Sequence, residues 1–267
     1  MRLETPRQRR RRKAREAPFP PAWRALLSGS VVQWRYLDAA ERARLEDLIK
    51  VFLVDKEFEG AGGMRVTDEV RVNIAAQACL LVLGLDDPRY YYRDVHSIIV
   101  YPSSVRPTGP QPSPLLDGAV TAAPAPLAGQ ARLHGPMVIV WDQAAAQARF
   151  PGTGRNVVHH EFAHKIDMAD GAVDGSPRHR DLSAGRHLDE VLAREFARLR
   201  RRSEEGEPTL LDSYGGQSAV EFFAVATEAF FDVPVPLQEQ CPELYGALAG
   251  FYGQDPAARV RRGAAEG

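Results

Sequence analysis

The run His160-Glu161-Phe162-Ala163-His164 places two imidazoles four residues apart, with a carboxylate beside the first. On a helix of 3.6 residues per turn the two rings stand one above the other, close enough to share one tetrahedral zinc ion. Glu161 then faces the adjoining position, where a water polarised by the metal would sit. Zinc lowers the pKa of such a water to roughly 7, and a neighbouring carboxylate takes its proton as the oxygen attacks a carbonyl carbon. This is the chemistry of metal-assisted peptide hydrolysis, with His160 and His164 as ligands and Glu161 as general base.

The surrounding residues favour a helix, because no breaker interrupts 156–168 and Val157, Val158, Phe162, Ala163 and Ile166 make the segment apolar. Polar groups on a buried element need partners to offset their desolvation, and a metal supplies one. His159 lies about 100° from His160 around the helix and is not counted as a ligand.

A catalytic zinc needs a third protein ligand and an open position. In the extended motif a glycine and a further ligand would stand at 167 and 170, where this chain has Asp167 and Asp170. Asp170 could ligate, although the glycine turn is missing, and Asp167 could bond a ligand ring or bond locally. His179 and His187 lie in polar sequence and read as surface histidines. The better candidates are Glu221 and Glu228 in SAVEFFAVATEAFF, seven residues apart on one helical face with small Ala224 between them. One carboxylate could bind metal while the other orients a ligand histidine. Glu221 also has the spacing of a capping-box partner for Ser218, and spacing does not choose between these roles. Tyr214, in a glycine-flanked turn just before that segment, could donate to an oxyanion or simply order the loop.

These residues need elements to position them. Asp38 with Glu41 predicts a capped helix over 39–55, and Thr67 caps a second that stops at Gly84. SIIVY (Ser97–Tyr101) and MVIVW (137–141) read as strands, the second either a core strand or an edge on which an extended peptide could pair. Residues 102–130, rich in Pro, Ala, Gly and Ser, read as a long loop. Helices are expected over 156–168, 185–202, 218–231 and 242–252. Residues 1–22 combine arginine with proline and read as a flexible basic arm, residues 23–258 as the catalytic domain, and 259–267 as a tail.

The bulk numbers exclude several classes. The chain has 267 residues, 44% hydrophobic and 26% charged, with a formal charge of −1, so nothing calls for nucleic acid or an anionic membrane as principal partner. Cys79 and Cys241 are far apart in sequence and form no thiolate metal pair. No run approaches the roughly 20 apolar residues of a membrane-spanning helix, and the basic N-terminus lacks a signal sequence's apolar run. A cytoplasmic protein is the expectation.

The segments NVVHHEFAHKIDMADG, DSYGGQSAVEFFAVATEAFF, GPMVIVWDQ and FYGQDP resemble the Mlc titration factor A family of bacterial zinc peptidases over about residues 23–258. The resemblance implies an α+β, mostly helical zincin-like domain with a small sheet beside the H-E-x-x-H helix. It implies one zinc per chain on His160, His164 and Glu221, with Glu161 as base and Tyr214 steadying the oxyanion. It implies peptide or protein substrates, with aminopeptidase action as one form. In some members it also implies binding of a glucose-responsive transcriptional repressor of the Mlc type, which makes a repressor-sequestering protein the alternative function.

Overall fold

The computed structural model describes residues 4–87, 90–103, 111–112, 120–121, 129–130, 135–179 and 181–266. Helix α1 (Pro6–Glu16) leads into α2 (Pro21–Ser30), α3 (Val32–Tyr36) and α4 (Ala39–Asp55). Asp38 caps α4 through the Glu41 amide, and the Glu41 carboxylate accepts from the Asp38 amide, which is the predicted reciprocal cap. Strand β1 (Glu57–Gly60) follows, then α5 (Asp68–Leu81), capped by Thr67. The helix ends before Gly84, whose role is close approach: a Cβ there would lie 2.2 Å from the Tyr252 carbonyl oxygen.

Strands β2 (Ser97–Tyr101) and β6 (Met137–Val140) are parallel to β1, and β5 (Gly129–Gln130) pairs antiparallel, in the order β1-β2-β6-β5. Short strands β3 (Gln111–Pro112) and β4 (Val120–Thr121) pair separately. The rest of the 102–130 segment, expected to be loop, lies outside the described residues apart from Pro102 and Ser103. β6 therefore lies between two neighbours, and it is not the open edge that its sequence allowed. Its run also ends one residue early, because Trp141 begins α6 (Trp141–Arg149). Ile98, Val100, Met137 and Ile139 are fully buried and form the sheet's contribution to the core.

Helix α7 (Val157–Asp167) packs between α5 and α9 (Ala219–Asp232), with α8 (Leu182–Glu204) crossing nearby. Helices α10 (Pro234–Gln240), α11 (Pro242–Tyr252) and α12 (Pro256–Glu266) complete a mostly helical α+β domain. Phe162 fixes α7 in depth: its ring lies 4.6 Å from Tyr92 and 5.7 Å from Phe52, tying the helix to α4 and to the segment before β2. Among the described residues no helix is long and apolar enough to cross a membrane.

Both ends differ from their compositional reading. Residues 5–16 form a capped helix where a flexible arm was expected, because Arg7 and Arg11 converge on Asp55, whose side chain is only 3% exposed. Lys50 adds bonds of 2.7 Å to the Arg15 and Ala17 carbonyls. No residue of α1 is buried, so counting apolar surface could not reveal an attachment made by charge. Likewise the expected C-terminal tail belongs to α12, where Arg259 is buried and bonds Glu41 and Gln254.

Candidate metal centre

Asn156 starts the site. Its side-chain oxygen accepts from the His159 amide to cap α7, its amide group donates 2.8 Å to Gln77 on α5, and its backbone N–H donates to Glu228 on α9. One fully buried residue thus sets the start of α7 against two helices. On the next turn His160 and His164 present their Nε2 atoms to each other at 3.1 Å. The predicted stacking is present.

Glu221 reaches the same point from α9. Its Oε2 lies 3.1 Å from His160 Nε2 and 3.6 Å from His164 Nε2. Ser218 does cap α9, but only through the Glu221 backbone N–H, and the reciprocal bond of a capping box is absent. The two roles left open by spacing are therefore divided between backbone and side chain. Glu228 takes the other position, with Oε1 2.7 Å from His160 Nδ1. With Nδ1 donating to Glu228, a neutral His160 ring presents its Nε2 lone pair to the point where Glu221 and His164 converge, the form that binds a cation.

Two ring nitrogens and a carboxylate oxygen, each able to coordinate a cation, converge on one point. Glu221 Oε2 is buried with the two Nε2 atoms as its near neighbours, and His164 Nδ1, on the far side of its ring, is buried without a hydrogen-bond partner. Ligand atoms about 2.1 Å from one ion at tetrahedral angles lie roughly 3.4 Å apart, which matches the observed 3.1, 3.1 and 3.6 Å. Among the described residues this is the one cluster of histidine, cysteine and carboxylate side chains with such convergence. The donor set fits a divalent cation.

The electrostatics agree. Burial opposes charge on His160, but its bonds to Glu221 and Glu228 outweigh burial and raise it to about 10. Burial, with the adjacent His160, lowers His164. Burial also opposes charge on Glu221, yet its bonds to His160 and His164 hold it down at about 2. Burial raises Glu228 against the pull of His160. Three carboxylates around two imidazoles call for added positive charge, which a metal supplies.

Glu161 is 4% exposed, and its charge acts on both His160 and Tyr214. Tyr214 is 44% exposed, with its ring 6.0 Å from that of His160. Burial and the Glu221 and Glu161 carboxylates raise its phenol to about 12, so it carries its proton at neutral pH. Its turn is held by Asp212, which accepts from the Tyr214 amide and pairs with Arg155 at 2.5 Å. Gly215 lets the turn sit close, since a Cβ there would lie 3.2 Å from both Leu199 and Val225.

The other candidates lie elsewhere. Asp167 accepts from the Gly175 amide at 3.0 Å, a local bond, and Asp170 accepts from the Ala172 amide. His179 bonds within its own loop and His187 is exposed. His159 faces away from the centre and pairs, fully buried, with Asp232 at 3.1 Å. The sequence reading missed the work of Asn156 and Gly175. Asn156 had a readable signal as a cap before an apolar helix. Gly175 had none, because its need for a bare backbone arises only where a Cβ would strike the Ala219 carbonyl at 2.3 Å.

Comparison with known proteins gives a consistent result. The family described as glucose-regulated metallo-peptidase M90 matches residues 5–253. An uncharacterised protein of Synechocystis is 35% identical over 246 residues, covering 90% of this chain and 86% of that one. Proteins named Mlc titration factor A from Yersinia pestis and Yersinia pseudotuberculosis are 30% identical over 230 residues, covering 85% of this chain and 82% of theirs.

Proposed function

The chain belongs to the glucose-regulated metallopeptidase M90 family, and on that premise we propose that it is a cytoplasmic zinc-dependent peptidase. The observation that carries this reading is the convergence of His160 Nε2, His164 Nε2 and Glu221 Oε2 within 3.1–3.6 Å. These three would hold one zinc ion, which supplies a Lewis acid that polarises a peptide carbonyl and acidifies an attacking water. Imidazole and carboxylate with no thiolate is the donor set of a catalytic zinc site, which takes three protein ligands and keeps its fourth position for water or substrate.

Each remaining role falls to a side chain. Glu161 accepts the proton of the attacking water and passes it to the leaving amine. Tyr214 keeps its phenol proton at neutral pH and donates a hydrogen bond to the carbonyl oxygen as negative charge grows there. Glu228 holds the His160 ring so that Nε2 faces the centre. Asp212 and Gly215 hold the Tyr214 turn against α8 and α9.

The test pairs metal content with turnover. Glu161→Gln is expected to keep one zinc per chain while losing about 10² to 10⁴ of kcat on amino-acyl and peptide anilides. Equal, negligible turnover by wild type and variant across a broad peptide set would remove the enzymatic reading. A second reading rests on the name of the Yersinia relatives: a protein that titrates an Mlc-type repressor, with hydrolysis minor. Glu161→Gln should leave such binding intact, and binding lost together with turnover would count against it.

A further inference from the structure

A cavity of about 280 Å³ opens beside α8, away from the metal centre. One wall carries Arg198 and Arg202, one helical turn apart on the same face. Thr209–Leu211, the segment that runs into the Tyr214 turn, also lines the cavity, as does exposed Gln240. Leu199 lines the cavity and also meets the turn, within 3.2 Å of where a Gly215 Cβ would lie.

The guanidiniums are only partly engaged. Arg198 donates one N–H to Glu195 at 3.3 Å, and Arg202 donates Nε to Glu207 and Nη2 to the Pro208 carbonyl, both at 2.8 Å. Each guanidinium offers five N–H donors, so among the described residues most remain without a partner. The one carboxylate on the wall, Glu195, is taken by Arg198, Glu207 beside the wall is taken by Arg202, and neighbouring Arg194 is taken by Glu243. The concavity therefore offers spare guanidinium donors, which turn towards an added anion without either arginine leaving its carboxylate. Its size, just below the usual range of ligand pockets, suits a small metabolite and not a polymer.

We infer that this cavity is an effector site for a small anion bearing a carboxylate or a phosphate, held between Arg198 and Arg202. The bound anion braces the Tyr214 turn. The connection is short: Thr209 donates 2.8 Å to the Leu211 carbonyl, buried Leu211 precedes Asp212, and Asp212 caps the turn. An ordered Thr209–Leu211 wall removes slack from a residue that stands at the metal centre. By reciprocity, whatever orders the turn from the metal side tightens the anion.

Isothermal titration of the zinc-loaded protein with inorganic phosphate, and separately with succinate, tests this and separates the two sources. At least one is expected to saturate at one per chain with Kd at or below about 1 mM. Arg198→Gln combined with Arg202→Gln should weaken it at least about tenfold, with zinc content and circular dichroism unchanged. Gln240→Glu, on an exposed position, should weaken it several-fold and guards against misfolding of the double variant. Hydrogen exchange at residues 209–217 should slow when the anion binds. Saturation by neither anion, or binding that survives the arginine changes and so reports the metal, overturns the site. Binding without slowed exchange overturns its link to the turn. None of these readouts needs peptidase turnover, so the site stands or falls apart from the catalytic reading.

Discussion

The contacts of α7 with α9 and of α1 with α4 both join charged residues across two helices, yet they solve opposite problems. In the second, one nearly buried carboxylate, Asp55, receives two guanidiniums, and every charge-bearing acceptor atom there is met by donors of the chain itself. In the first, Glu161, Glu221 and Glu228 surround two imidazoles, and the acceptor atoms outnumber the protons available to them. A cluster whose acceptors are all met attaches one element to another. One with acceptors to spare, built on helices whose other residues are mostly buried, is a place for an ion.

Removing one partner from each cluster separates the two cases. Glu221→Ala should have the largest effect, with zinc absent from the purified protein and turnover lost with it, while the fold is retained. Glu228→Gln removes charge but keeps an acceptor for His160 and should weaken zinc about 10- to 100-fold. Metal analysis after dialysis against a graded chelator reads both. Zinc retained by Glu221→Ala and lost by Glu228→Gln would exchange the two assignments. Phe162→Ala tests the packing behind α7: the ring is fully buried, and its loss should cost about 3–5 kcal/mol in denaturant unfolding. A cost below about 1 kcal/mol would mean that α7 is held mainly by its polar network.

The metal centre was legible where it depends on helical periodicity. The spacing of His160 and His164, and of Glu221 and Glu228, places side chains on common faces before any tertiary structure is known. The choice between the two glutamates was not legible from spacing, because it depends on how deep α9 sits against α7. Asn156 sets that depth by donating its backbone N–H to Glu228, and Phe162 fixes α7 itself against Tyr92 and Phe52, contacts spanning about 70 to 110 positions. The N-terminal helix was illegible for a different reason. Its sequence contains almost no apolar residue, and its partner Asp55 lies at the end of a helix whose apolar stripe drew the reading inward.

Asp55→Asn should cost about 1–2 kcal/mol, since it leaves a neutral acceptor for Arg7 and Arg11 but no charge. The loss should appear as faster hydrogen exchange in α1, with exchange in α9 unaffected. The smallest effect expected is that of acid. Burial pushes the Asp55 carboxyl up, but its bonds from Arg11 and Arg7 outweigh burial and hold it below the usual carboxylate range. A carboxyl whose pKa is lower when docked binds fewer protons in that state. The attachment is therefore at full strength above the ordinary aspartate value of about 3.9 and weakens as pH falls towards the docked value. Exchange in α1, normalised to α9, should thus be flat from about pH 7 down to about pH 4 and accelerate below it. Acceleration beginning near pH 6 would point to a histidine in place of Asp55 as the group that holds the helix.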